Sequence, residues 1–226
     1  RLSPLCWSGR AGLKPRGMIE SEAEARAFVA ARCDDRAMRK FERLIVLLRE
    51  ENTRQNLVAA RSLDEVWLRH IADSVQLLDH AGSDRSIWLD LGTGAGFPGI
   101  ALAIARPDQY FHLVESRKRR VEWLASVKAD LELENCTIHG ARLEHVESFE
   151  ADCITARAFA PLPRLLDLSA RFSTKETRWI LPKGRSAAQE VDALPKKRRA
   201  LFHVEHSQTD AQAGIITGSG RIEAKP

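Results

Sequence analysis

The stretch WLDLGTGAGFPGI, residues 88–100, constrains this chain more than any other. An apolar run ends in Asp90 and opens onto four glycines in eight residues. A strand that empties into a glycine-rich loop and then a helix is the first unit of an α/β sheet, with its ligand at the carboxyl edge. The rest of the chain from Ser86 keeps that rhythm. Apolar runs SIWLDL, YFHLVE, CTIHG, DCITA and TRWILP alternate with helical patterns at 99–106, 117–131, near 143, 162–171 and 186–193. Such alternation predicts a doubly wound, mostly parallel sheet with helices on both faces. RALFHVEH and the stretch around Gly214–Arg221 have no helix between them, so they predict a C-terminal antiparallel hairpin.

The first 80 residues read differently. Residues 21–50 carry helical spacing, broken at Cys33–Asp35 by a fresh N-cap, after which Met38, Phe41, Leu44, Ile45 and Leu48 mark one face. Ser62 and Glu65 have capping-box spacing ahead of a second apolar face, Leu63, Val66, Trp67, Ile71, Val75 and Leu78. The expected organisation is a disordered leader over 1–17, a helical element over 18–82 and a ligand-binding domain over 83–226. The leader is basic, acid-free and rich in Gly and Pro, without an apolar h-region.

Composition excludes little but narrows the setting. A formal charge of +4 permits a nucleic-acid partner without requiring one. Cys6, Cys33, Cys136 and Cys153 form no C-x-x-C pair, so disulfides and a metal are not expected, and a reducing cytoplasm is. No stretch approaches the roughly 20 apolar residues that span a bilayer, so no membrane partner is expected.

Gly94, Gly96 and Gly99 spell G-x-G-x-x-G, the dinucleotide fingerprint, which alone is weak. A dinucleotide brings a pyrophosphate to the helix N-terminus, and Asp90 repels it. S-adenosylmethionine carries a sulfonium and an ammonium, and an acid beside it is favourable. The pattern Asp90, Gly92, Gly94, Gly96 therefore points to S-adenosylmethionine. Glu115 ends the next strand, where an acid grips ribose hydroxyls.

At this point NLV (56–58), RHIADS (69–74), DLGTGAGFPG (90–99), LVES (113–116), ARLE (141–144), ARAFA (156–160) and LPKG (181–184) together resemble the RsmG family, also called GidB. The resemblance spans about residues 38 to 225. It implies a class I methyltransferase fold, Rossmann-like, with an N-terminal helical element. It implies S-adenosylmethionine as cofactor and N7 of guanine 527, in the 530 loop of 16S ribosomal RNA, as acceptor. It carries cofactor contacts onto Gly92, Phe97, Leu143, Glu144 and Arg157. The small ribosomal subunit or its RNA is then the partner, and a monomer is expected.

Guanine N7 has an in-plane lone pair and no proton to lose, so transfer to it needs no general base. Catalysis by placement follows, with Arg157, Lys183, Asn56 and His70 as candidate positioning groups. Arg157 follows the fourth strand and faces the cofactor carboxylate or the guanine. His70 is spaced to meet Asp73 and Ser74 on one helix face, as a polar link that Asn56 can join. Arg117, Lys118, Lys183 and Arg185 are candidate RNA contacts, predicting steep salt dependence. In His203–His206, strand alternation puts His203 and Glu205 on one face and His206 opposite, which argues against a metal pair. The rival readings are a methyltransferase for another RNA site or a small molecule, a nicotinamide-dependent oxidoreductase, and a non-enzymatic ribosomal RNA-binding module.

Overall fold

Strand β1 (Ile87–Leu91) buries four successive side chains, Trp88 to Leu91, as a central parallel strand covered on both faces does. In the computed structural model, which describes residues 17–82 and 86–223, β1 lies within a seven-stranded sheet of order β3-β2-β1-β4-β5-β7-β6. Strands β2 (Tyr110–Val114), β3 (Cys136–His139), β4 (Ala151–Thr155) and β5 (Ser173–Lys183) are linked to it by parallel pairings. Strand β7 (Gly214–Ser219) runs antiparallel between β5 and β6 (Phe202–His206). The expected parallel sheet and closing hairpin are both present. The chain passes from β1 to one side and from β4 to the other, so the crevice above their carboxyl ends is a topological switch point.

Helix α1 (Glu22–Ala30) is capped by Ser21, and α2 (Asp35–Asn52) by Asp34, whose side chain accepts from the Ala37 N–H at 2.7 Å. The predicted face of α2 is buried, and Phe41 meets Trp67 edge-on at 6.0 Å. A third helical segment is in π form over Trp67–Ala72, α over Asp73–Val75 (α3) and 3₁₀ over Gln76–His80. No strand occurs in the described residues before β1.

The predicted capping box does not form. The Ser62 hydroxyl donates to the Ala59 carbonyl at 2.6 Å and lies 2.8 Å from His70 Nε2. The N–H groups that start the third segment, those of Trp67 and Leu68, go to the Glu22 carboxylate of α1 at 3.1 and 2.7 Å. A carboxylate from a distant helix thus caps the segment that the local pattern assigned to Ser62.

Helices α4 (Gly99–Ala105) and α5 (Lys118–Asp130) cover one face of the sheet, and α1, α2 and the third segment pack onto the same side. Phe41, Leu44, Ile71, Ile100 and Phe111 belong to this one core. Each such side chain contributes about 1.5–3 kcal/mol on burial. The opposite face is covered by α6 (Leu162–Ser169) and α7 (Ala187–Asp192) around Leu89, Leu166, Trp179 and Ile216. Helix α8 (Lys196–Arg199) is a single basic turn before β6. The expected leader falls, but for Gly17, outside the described residues, as does Cys6.

Candidate active site

The loop 92–98 rises from the end of β1 at the switch point. Gly92, Gly94 and Gly96 all have positive φ, at 67°, 60° and 108°, a region that L side chains avoid. Gly99 is required for a different reason. A Cβ there would fall 2.4 Å from Leu113 Cδ2 and 2.5 Å from Asp90 Oδ2, so α4 is seated directly on β1 and β2.

Asp90 takes a role other than the one expected. Its Oδ2 accepts from the Gly99 N–H at 3.0 Å, it is 1% exposed, and it lies behind the loop rather than on a cavity wall. Burial raises its pKa to about 6, against the lowering influence of Thr93 and the Gly99 N–H. In this structure Asp90 holds the first N–H of α4 through Oδ2 and does not line the cavity. Gly96 likewise shapes the turn without lining the cavity.

In front of the loop is a cavity of about 630 Å³. Gly92, Gly94, Phe97, Glu115, Leu143, Glu144 and Arg157 line it, all of them predicted cofactor residues. Arg117, Arg120, Phe159 and Arg164 line it as well. Glu115 is 8% exposed; its Oε2 accepts from the Gly94 N–H at 3.1 Å and its Oε1 from the Arg117 N–H at 2.8 Å.

This arrangement discriminates between the two cofactor classes. A dinucleotide needs free N–H groups for its pyrophosphate. Here the Gly99 and Gly94 N–H groups are both taken by carboxylates of the protein. The site is already supplied with its anions, which suits a cationic ligand. The residues present therefore fit S-adenosylmethionine, with Gly92, Gly94, Phe97 and Glu115 placed to hold it.

A second cavity of about 920 Å³ lies beside the first. Residues 57–65, the third helical segment, the end of β5 and the β6–β7 loop enclose it. Among the described residues, only Leu57 and Arg157 line both cavities. Arg157, which follows β4, thus stands in the wall between them. Its Nη1 lies 3.4 Å from His70 Nδ1 and 3.9 Å from Asp73 Oδ2, and its Cζ is 5.6 Å from the Phe97 ring centre.

His70 is stacked on Phe97 with ring centres 5.0 Å apart. Burial, reinforced by Arg157 and Arg69, lowers its pKa to about 3, so the imidazole is neutral. Asp73 Oδ1 accepts from Thr209 Oγ1 at 2.7 Å and from Gln76 Nε2 at 2.9 Å. Burial pushes the Asp73 pKa up, opposed by Arg157 and Thr209. The expected polar link exists in altered form. His70 and Asp73 are joined through Arg157, and Ser74 donates to the His70 carbonyl at 2.6 Å. Asn56 is exposed, lines neither cavity, and offers its carbonyl to Arg120 at 2.7 Å. The roles of Arg120, Gln76 and Thr209 depend on contacts between distant segments, and no local pattern announced them.

The candidate RNA contacts separate into two kinds. Arg117, Lys118 and Arg185 are exposed. Lys183 lines the larger cavity, but its ammonium is 3.0 Å from Glu190 and donates to the Ala160 carbonyl at 3.2 Å, with a side chain 10% exposed. It is thus an internal ion pair, in place of the free phosphate contact expected. In the basic turn α8, Arg198 pairs with Asp167 at 2.7 Å and Lys197 with Glu223 at 2.9 Å. His203 and Glu205 share a face of β6, 3.1 Å apart.

The strand order, the glycine loop at the switch point and a cavity furnished with carboxylates define a class I S-adenosylmethionine-dependent methyltransferase. Residues 37–214 match the family model of GidB, rRNA small subunit methyltransferase G. The chain belongs to that family. The ribosomal RNA small subunit methyltransferase G of Erythrobacter litoralis is 57% identical over 206 residues, 91% of this chain and 100% of that one. Its counterpart in Sphingopyxis alaskensis is 49% identical, covering 82% of this chain and 80% of that one. Among solved structures, the T. thermophilus 16S rRNA N2 G1207 methyltransferase (RsmC), in complex with AdoMet and guanosine, superposes with a TM-score of 0.51 at 15% identity. It covers 68% of this chain and 40% of that one. The precorrin-6y C5,15-methyltransferase of Geobacter metallireducens gives 0.52 at 15% identity, over 66% and 86%. These two likenesses carry the fold alone.

Proposed function

We propose that this chain methylates N7 of one guanine in 16S ribosomal RNA, guanine 527 of the 530 loop. The observation that carries the reading is the meeting of two cavities at Arg157. The smaller fits the methyl donor and the larger admits the acceptor base. When bound, S-adenosylmethionine supplies an electrophilic methyl group on its sulfonium.

The side chains at the junction suit an acceptor that needs no deprotonation. Arg157 is a cation. His70 is neutral, with Nε2 at Ser62 and Nδ1 at Arg157. Asp73 is held by Thr209, Gln76 and Arg157. Both ring nitrogens of His70 are engaged, so it presents no free base to the junction, and N7 requires none. These residues orient the base and keep the junction electrostatically fixed. N7 lies in the deep groove of A-form RNA, so the target must be unpaired or splayed. Exposed Arg117, Lys118 and Arg185 flank the cavities' region of the sheet edge and track phosphates. The chain works as a monomer in the cytoplasm, on the small subunit or its RNA. No helix among the described residues is long and apolar enough to cross a membrane.

The test is incubation with methyl-labelled S-adenosylmethionine and small subunits lacking the modification, followed by strand cleavage specific for N7-methylguanine. Label at a single guanine of the 530 loop is expected. Label at another atom or another RNA overturns the reading.

A further inference from the structure

The hydrogen bonds around His70 have only one possible direction. A guanidinium has donors and no acceptor, so Arg157 Nη1 donates and His70 Nδ1 accepts at 3.4 Å. The imidazole is then the Nε2–H tautomer, and Nε2 donates to Ser62 Oγ at 2.8 Å. Ser62 in turn donates to the Ala59 carbonyl at 2.6 Å. The chain Arg157–His70–Ser62–Ala59 ends on a fixed backbone carbonyl. No member can reverse without losing a bond.

The same ring spans the two sides of the wall. His70 and Asp73 line only the acceptor cavity, whereas Phe97, on which His70 stacks, lines only the cofactor cavity. Both side-chain partners of Arg157 Nη1 therefore lie on the acceptor side. With Nη1 drawn there, Nε–H and the Nη2 hydrogens remain for a ligand in the wall. Without the His70 acceptor, Arg157 is left with Asp73, at present 3.9 Å away, and is free to close onto it.

We infer that His70 is a positioning residue for methyl transfer: its Nδ1 acceptor aims the Arg157 guanidinium at the junction of the two cavities, where the guanidinium holds O6 of the acceptor guanine while N7 faces the donor. This rests on the proposed reaction. A guanidinium donating to O6 is ordinary guanine recognition chemistry. It leaves the N7 lone pair free where the guanidinium donates to O6 alone, so the direction in which Arg157 is aimed matters to the transfer.

Two substitutions separate aim from packing. Both remove the ring stacked on Phe97. His70→Asn leaves an amide oxygen near the Nδ1 position, where it can accept from Arg157. His70→Gln places its amide farther out, toward Ser62, and leaves Arg157 without that acceptor. With small-subunit RNA as substrate, kcat is expected to fall about 100-fold in His70→Gln and within about tenfold in His70→Asn, the loss a misplacement of about 1 Å produces. The Kd for S-adenosylmethionine is expected to move equally in the two. Equal loss of kcat in both variants, or loss that tracks Tm, overturns the inference. If neither variant folds, Ser62→Ala is measured instead. A severalfold fall in kcat at unchanged cofactor Kd supports the relay, and unchanged kcat overturns it. Product analysis of the unsubstituted protein keeps the two claims apart. Methylation at an atom other than N7 refutes the proposed reaction, whereas the order of the His70 variants bears on the positioning role.

Discussion

Glu115 reaches back across the cofactor loop to Gly94: its Oε2 accepts the Gly94 N–H at 3.1 Å while its Oε1 accepts that of Arg117 at 2.8 Å. One carboxylate thereby fixes the loop after β1 against the start of α5 and puts a negative charge in the wall of the smaller cavity. Removing it loosens the loop and deletes the charge together. In Glu115→Ala the Kd for S-adenosylmethionine, by calorimetry, is expected to rise about ten- to a hundredfold, the equivalent of one or two strong hydrogen bonds. An unchanged Kd would remove Glu115 from the cofactor site.

Gly99 tests the seat of α4. The smallest side chain there would overlap Leu113 and Asp90. Gly99→Ala is expected to cost about 1–3 kcal/mol in urea unfolding, the range for forcing an extra methyl into a packed core. A neutral or stabilising effect would mean that α4 can move off the sheet at little cost.

Much of this was legible in advance because it rests on local physics. The period of α2, the N-cap at Asp34 and the buried run of β1 are encoded by near neighbours, and each strand of the sheet stands where its apolar run lies. The glycine loop disclosed the cavity for the same reason. What escaped was decided by distant partners. Glu22 displaced the expected cap at Ser62 and Glu65 because α1 packs beside the third segment. Lys183 looked like a free cation until α7 brought Glu190 to it. Asp90 has the right chemistry for a cofactor ligand, but its direction was set by the bare face of Gly99. Arg157 stood out after the fourth strand, while its contacts to His70 and Asp73, and the wall it occupies, emerged only from the fold.

Histidine protonation opposes the native state in acid. The His70 pKa is about 3 in the fold against an ordinary 6.5, lowered by burial first and then by Arg157 and Arg69. Between those values the unfolded chain binds a proton that the native ring does not. The ring's neutral state therefore favours the fold fully above about pH 6.5, and that advantage is lost as pH falls toward 3. His112, lowered to about 4 by burial and His139, acts in the same direction, and Asp90, raised to about 6, acts in the opposite one. Comparing the protein with His70→Gln cancels the terms they share. The variant is expected to gain on the parent by about 1.4 kcal/mol per unit below pH 6 in urea unfolding. Parallel pH profiles would show that His70 is not held neutral.

Exposed cations and internal ones are separable by salt. Arg185→Glu is expected to weaken RNA binding and to reduce the slope of log K against log salt by about one. Lys183→Met is expected to leave that slope in place and to cost about 1–3 kcal/mol of stability, because the half-buried Glu190 loses its ion-pair partner. Equal slopes in the parent and Arg185→Glu would move the phosphate track elsewhere.

The central claim, transfer to a nitrogen that has no proton, is tested most directly at the acceptor atom. Small-subunit RNA carrying 7-deazaguanosine at the methylated position differs only in having C–H where N7 stood. Unchanged RNA affinity and no methyl transfer to that base are expected. Continued labelling of the 7-deaza base would place the methyl group on another atom and contradict it.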